Sequence, residues 1–279
     1  MKAIINAGAT TMLLLVSVLY SCKKDDTSNP GSTNGNNRQL QASVYLTDHQ
    51  TPELDSIFID IRRLEVKLED DSLPNDGWVS ISINAGVYNI LSLRNGIDTL
   101  FGTGALPGGK LKKLRLIIGD NNYVMKDGQV YELKTEDRQL QVSVDLTDSN
   151  FEITADGQLL FWIDFDAANS VRVDNSGHGN NNGYKLEPHL NIFTKHKSGS
   201  IEGNVLPREA NSLIMAINGM DTIMAIPEDR EGEFKIMGLK EGSYTVFIDG
   251  NNGYADTTIN NVMVQKNEDT HLGIITLHQ

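Results

Sequence analysis

The sequence has one cysteine, Cys22, in 279 residues. A single thiol excludes an internal disulfide and a cysteine-built zinc site. Positive charge is also in deficit: 24 Lys and Arg against 37 Asp and Glu leave a formal net charge of −13. A nucleic-acid-binding face needs clustered basic residues, and so does docking on anionic lipid headgroups, so neither partner is expected. The six histidines (His49, His178, His189, His196, His271, His278) form no His-x-x-x-His or His-Glu-x-x-His spacing, so no helical zinc site is expected. A nucleophile elbow is absent, because Gly31-Ser32-Thr33-Asn34-Gly35 has Thr at its centre. No glycine-rich phosphate loop follows a strand and opens a helix. With no catalytic constellation in view, the expectation is a protein that is not an enzyme and has no obligatory cofactor.

The N-terminus carries an address. Lys2 precedes an apolar segment that is densest over Met12 to Tyr20, too short for a bilayer-spanning helix. A basic start, a short apolar core and small residues before a cut site make a secretory signal. The ending Leu19-Tyr20-Ser21-Cys22 resembles the lipobox of bacterial lipoproteins, which implies cleavage before an acylated Cys22. Several buried acyl chains anchor firmly, at about 0.8 kcal/mol per CH₂. Residues 1–21 are therefore read as a lipoprotein signal peptide and 22–38 as a flexible tether rich in Gly, Ser, Asn, Thr and Pro. The acidic pair in Lys23-Lys24-Asp25-Asp26 resembles a surface-export signal of Gram-negative lipoproteins. That resemblance implies an outer-membrane, lipid-anchored protein facing the cell exterior.

From Leu40 onward the apolar residues alternate with period two, the mark of half-buried strands. Ile57, Ile59 and Ile61 share one parity, and Leu64, Val66 and Leu68 the other, so a β-bulge is expected at Arg62-Arg63. Tyr123–Met125 and Val130–Leu133 flank Asp127-Gly128 and read as a tight hairpin. Leu159, Phe161, Ile163 and Phe165 make a strand with one inward face. A short helix is expected within 86–93 or 97–101. Leu40–Asp48 recurs as Leu140–Asp148 with seven of nine positions identical, but the flanks do not match. Two strands under similar packing constraints explain this better than a duplicated domain. After Lys195–Gly199, seven short strands follow in about eighty residues, the signature of a Greek-key sandwich. The fold class expected is all-β: an uncharacterised domain over 39–195, then a seven-stranded prealbumin-like sandwich over 198–279.

Two resemblances sharpen this reading. Gly232-Glu233-Phe234, Gly238-Leu239-x-x-Gly242-x-Tyr244 and the opening Gly199–Val205 resemble the carboxypeptidase regulatory-like family. That family implies a transthyretin-like sandwich acting as a spacer or assembly module, on a fold shared with starch-binding domains. Val44-x-Leu46-Thr47-Asp48, Asp55–Ile61, Gly77-Trp78-Val79, Tyr88–Gly96, Leu106–Gly109, Arg115–Asn122 and Asp164–Ala168 resemble a bacterial lipoprotein domain family of unknown function, number four-three-eight-two. It implies an extracytoplasmic location and no chemistry.

Candidate sites remain to be weighed. Asp164 and Asp166 share a strand face and could bracket a sugar, but such pairs are ordinary on solvated faces. With Asp120 and Asn122 they offer hard oxygens for calcium, as does Asp249-x-Asn251-x-Gly253-x-x-Asp256, although Asx residues also build turns and no EF-hand is present. Sugar platforms need exposed aromatic faces; Trp162, Trp78 and Tyr254 are the candidates, with core packing as the alternative for each. Trp162 has opposite parity to Phe161 and Ile163, so it is expected to point away from the core. Two functions stay open: a non-catalytic binding or adhesion module for a glycan or a surface protein, or a structural spacer with no small-molecule ligand.

Overall fold

A computed structural model describes residues 40–49, 54–69, 74–107, 110–146, 151, 158–174, 183–228 and 231–279. Cys22, the tether and Gly108-Gly109 lie outside the described residues. The described residues fall within one compact unit.

The fold is all-β in two sandwich-like parts. The first holds β1 (Leu40–Thr47), β2 (Ser56–Leu68), β3 (Trp78–Ile83), β4 (Gly86–Asn89), β5 (Thr99–Leu106), β6 (Leu111–Ile118), β7 (Tyr123–Lys126), β8 (Gln129–Lys134), β9 (Leu140–Asp145), β10 (Gln158–Phe165), β11 (Val171–Asp174), β12 (Gly183–Leu186) and β13 (Leu190–Phe193). The four-residue α1 (Ala167–Ser170) follows β10 and is capped by Asp166, whose side chain accepts from the Asn169 amide. One hydrogen-bonded path runs β11-β12-β8-β7-β2-β3-β5-β1-β10-β13, with β4, β6 and β9 joined through β2 and β6. A single cluster gathers Val44, Phe101 and Phe161 from one layer with Ile59, Leu64 and Leu116 from the other.

The second part holds β14 (Gly199–Leu206), β15 (Leu213–Asn218), β16 (Asp221–Ala225), β17 (Glu233–Leu239), β18 (Gly242–Asp249), β19 (Thr257–Val264) and β20 (Asp269–Thr276). Its sheets run β17-β14-β20 and β16-β15-β18-β19, packed on a separate cluster that includes Ile201, Phe234, Leu239, Tyr244 and Val246. Among the described residues no ladder joins β1–β13 to β14–β20.

Local chemistry accounts for several features. The β2–β6 register slips between Ile61 and Arg63, and this bulge carries the apolar parity from Ile61 to Leu64 without turning it to solvent. Asp127 and Gly128 both have positive φ, at 51° and 72°, closing the β7–β8 hairpin. The repeated segment forms strands β1 and β9, with Ala42, Val44 and Leu46 matched by Val142, Val144 and Leu146 on the core side. The positions that differ follow the environment. Tyr45 lies under Trp162, whereas Asp145 is exposed and pairs with Lys113 at 2.8 Å. The helix expected at 86–93 or 97–101 is replaced by β4, a 3-10 turn at Ile90–Leu93 and β5. Its residues find strand partners instead: Phe58↔Asn89 through Ile61↔Gly86 pair β4 to β2.

Phe161 is fully buried in the first core and meets Phe151 edge-to-face at 6.4 Å between centroids. Phe161→Ala is expected to cost about 3–5 kcal/mol in denaturant unfolding, the range for truncating a fully buried phenylalanine.

Candidate functional site at the domain junction

Strand β10 sends alternate side chains two ways. Leu159, Phe161, Ile163 and Phe165 enter the first core, while Leu160, Trp162 and Asp164 face the other side. The parity expected for Trp162 therefore holds, but the indole is not a solvent-facing platform. It is only 5% exposed and forms a small cluster with Phe193 of β13 and Met237 of β17. This corrects the sugar-platform expectation: the indole is covered by Tyr45 and Phe193 of its own domain and by Met237 of the second. Tyr45 stacks on the indole at 5.0 Å and Phe193 at 5.9 Å, and the Lys195 ammonium sits 5.0 Å from the ring centroid. The Trp162 Nε1–H donates to Asp98 Oδ2 at 2.6 Å. Gly238 permits this close approach. It has φ +73°, and a Cβ there would lie 2.7 Å from Phe193 Cδ1.

Two residues along the same face, Asp164 is fully buried. The parallel β1–β10 register pairs Thr47 with Asp164, so the chain leaving β1 brings Asp48 and His49 beside that carboxylate. His49 Nδ1 contacts Asp164 Oδ2, which also accepts from Asn191 Nδ2 at 3.0 Å. His49 Nε2 faces the Met237 carbonyl oxygen at 3.2 Å. Asp48 is buried, and its Oδ1 accepts from the Ala167 amide at 3.2 Å. Among the described residues, Asp48 Oδ2 and Asp164 Oδ1 have no hydrogen-bond partner. Burial, and then the Asp164 charge, hold the Asp48 carboxyl well above the usual carboxylate range. For His49, burial opposes the charged ring, but the Asp164 carboxylate and the Met237 carbonyl outweigh it and raise the imidazole above its ordinary value. A charged Asp48 would add a second carboxylate charge beside Asp164 in the buried cluster, the cost that its raised carboxyl reflects.

The other candidates lie in different neighbourhoods. Trp78 is half-buried, with the Arg115 guanidinium 4.0 Å from its ring centroid. Tyr254 is half-buried against the second core. Asn122 is buried and builds a turn: its Oδ1 accepts from the Asp60 amide at 2.8 Å and its Nδ2 donates to the Gly119 carbonyl at 2.7 Å. Asp120 is exposed beside it. Asp166 uses both carboxylate oxygens on Asn169, at 3.1 and 2.7 Å. Asn122, Asp164 and Asp166 thus each bond their own partners. Among the described residues no group of three or more His, Cys, Asp and Glu could hold a metal ion.

A cleft of about 580 Å³ opens at the junction. His49, Asn191 and Phe193 line one wall; Asp221, Thr222, Lys240 and Tyr244 line the other. Asn95 Nδ2 also donates across the junction to the Ile226 carbonyl at 2.7 Å. The His49–Asp164 couple looks like two thirds of a hydrolytic triad. A triad, however, needs the second ring nitrogen on a hydroxyl or thiol, and here it meets a backbone carbonyl. Sequence spacing could not have found this couple, because only the long-range β1–β10 pairing brings its members together. Among the described residues no helix is long and apolar enough to cross a membrane.

An all-β, two-domain chain with a buried polar cluster at its junction is thus the class to be matched. The family model described as "Domain of unknown function (DUF4382)" matches residues 41–188, more than half of the chain, and the chain belongs to that family. No curated protein matches it. Solved structures with some likeness include the Bacillus anthracis TIE protein, at 13% identity and TM-score 0.23. That alignment covers 90% of this chain and 42% of the other, so this chain spans less than half of its length. GBS52, the minor pilin of Streptococcus agalactiae, aligns at 10% identity and TM-score 0.21, covering 85% of this chain and 95% of the other. A fimbrial protein from Bacteroides ovatus aligns at 10% identity and TM-score 0.26, covering 87% and 51%. Likenesses this low carry no argument about what the chain does.

Trp162→Ala is expected to destabilise the chain by about 3–5 kcal/mol, as for a buried large aromatic. Leu160→Ala, on the same face but 40% exposed, is expected to cost less than about 1 kcal/mol. Urea titrations of both variants measure the contrast.

Proposed function

We propose that this chain is a lipid-anchored, non-catalytic assembly module of the cell surface, in which two β domains are docked as one unit. The observation that carries the reading is the sealing of Trp162 by Phe193 and Met237. The strongest aromatic candidate for a glycan contact is spent on joining domains. The His49–Asp164 couple supports the same reading, because its outer nitrogen bonds the Met237 carbonyl and so has no nucleophile to activate. The resemblance of the second domain to carboxypeptidase regulatory-like sandwiches fits a spacer or assembly role. The lipobox ending at Cys22 and the acidic pair behind it supply the anchor and the outward address.

In the native organism, a palmitate analogue is expected to label the wild-type chain and not Cys22→Ser. Protease added to intact cells is expected to remove the wild-type protein. On a glycan array the purified chain is expected to retain no sugar. Equal labelling of both forms would overturn the anchor, and full protection from protease would overturn the outward orientation. Saccharide retention abolished by changes at Trp78 or Tyr254 would restore the adhesion reading.

A further inference from the structure

The junction places one titratable side chain between the two domains with acceptors on both sides. His49 belongs to the first domain, as does the Asp164 carboxylate on its Nδ1. The Met237 carbonyl that its Nε2 meets belongs to β17 of the second. A carboxylate oxygen and a carbonyl oxygen can only accept. Both contacts are therefore hydrogen bonds only when both ring nitrogens carry hydrogen. We propose that His49 is a proton-operated latch between the two domains, closing on the Met237 carbonyl as the imidazolium and releasing it when the ring gives one proton to water.

The released state follows from the donor count. A neutral ring keeps one N–H, and the Asp164 carboxylate, as the stronger acceptor, holds it on Nδ1. The Nε2 lone pair then faces the Met237 oxygen, and an attraction becomes a repulsion. His49 lines the cleft of about 580 Å³, so protons reach the ring without unfolding either core. The charged and titratable neighbours are Asp164 and Asp166 on and after β10, Asp48 beside it in the chain, Arg94 before β5, and Asp221 and Lys240 on the far wall of the cleft.

The direction of the pH response is fixed. His49 binds its proton more tightly docked than at its ordinary value of 6.5. The Met237 carbonyl is one of the causes of that rise, so this contact favours docking while the ring is protonated and is lost as pH rises through the docked-state value.

Trp162 reports the latch, since its indole lies against Met237. In the Trp78→Phe chain, Trp162 emission and acrylamide quenching are followed from pH 5 to 9. The expected result is a red shift and increased quenching as pH rises, with strand content by circular dichroism unchanged. His49→Gln, which cannot titrate, should remove the transition. Asp164→Asn should move its midpoint down by about one pH unit or more, because the ring loses its carboxylate. Flat emission in the His49 chain, or the same transition in folded His49→Gln, overturns the latch. Should His49→Gln fail to fold, an unshifted midpoint in Asp164→Asn overturns it.

Discussion

Strand β10 has no solvent face from Phe161 to Phe165. One side enters the first core, and the other presents Trp162 and Asp164, an indole and a carboxylate that must both be covered. Leaving the indole in water would expose a large apolar patch, and leaving the carboxylate buried and unpaired would cost several kcal/mol. The second domain meets the first demand with Met237, and the chain leaving β1 meets the second with His49. Other features of the junction follow from this constraint. Position 238 is glycine because β17 passes directly over Phe193, and Tyr45 is aromatic because it floors the indole.

The polar half of the junction sets geometry more than it adds stability. A buried carboxylate–imidazolium pair gains little over a well-packed apolar contact, because both ions lose their water. What it adds is direction. The Asp164–His49–Met237 contacts tie β10 to β17 by directional hydrogen bonds beside the non-directional packing of Trp162. Beside this pair, burial and the Asp164 charge disfavour a second carboxylate charge and so raise the Asp48 carboxyl.

Much of the fold was legible because its signals are local. Asp127-Gly128 needs positive φ, the parity change at Arg62-Arg63 needs a bulge, and the described residues of the second domain form seven short strands, as expected. The helix expected within 86–93 or 97–101 was wrong because strand pairing with β2 overrode a weak local pattern. The site was legible only in half. Parity told which way Trp162 points, but not that another domain would meet it, since period two carries no information about what lies beyond the sheet. His49 and Asp164 left no motif at all. They are joined by a parallel ladder between strands far apart in sequence, and such pairings have no local signature.

The central claim is that the second domain is what shields Trp162. The most direct measurement is acrylamide quenching of Trp162 in two Trp78→Phe chains, one complete and one ending at Lys197 after the first domain. With its own core intact by circular dichroism, the shortened chain is expected to show a red-shifted, readily quenched indole, and the complete chain a blue-shifted, protected one. Equal protection in both would mean that the first domain buries Trp162 by itself, and would contradict the account.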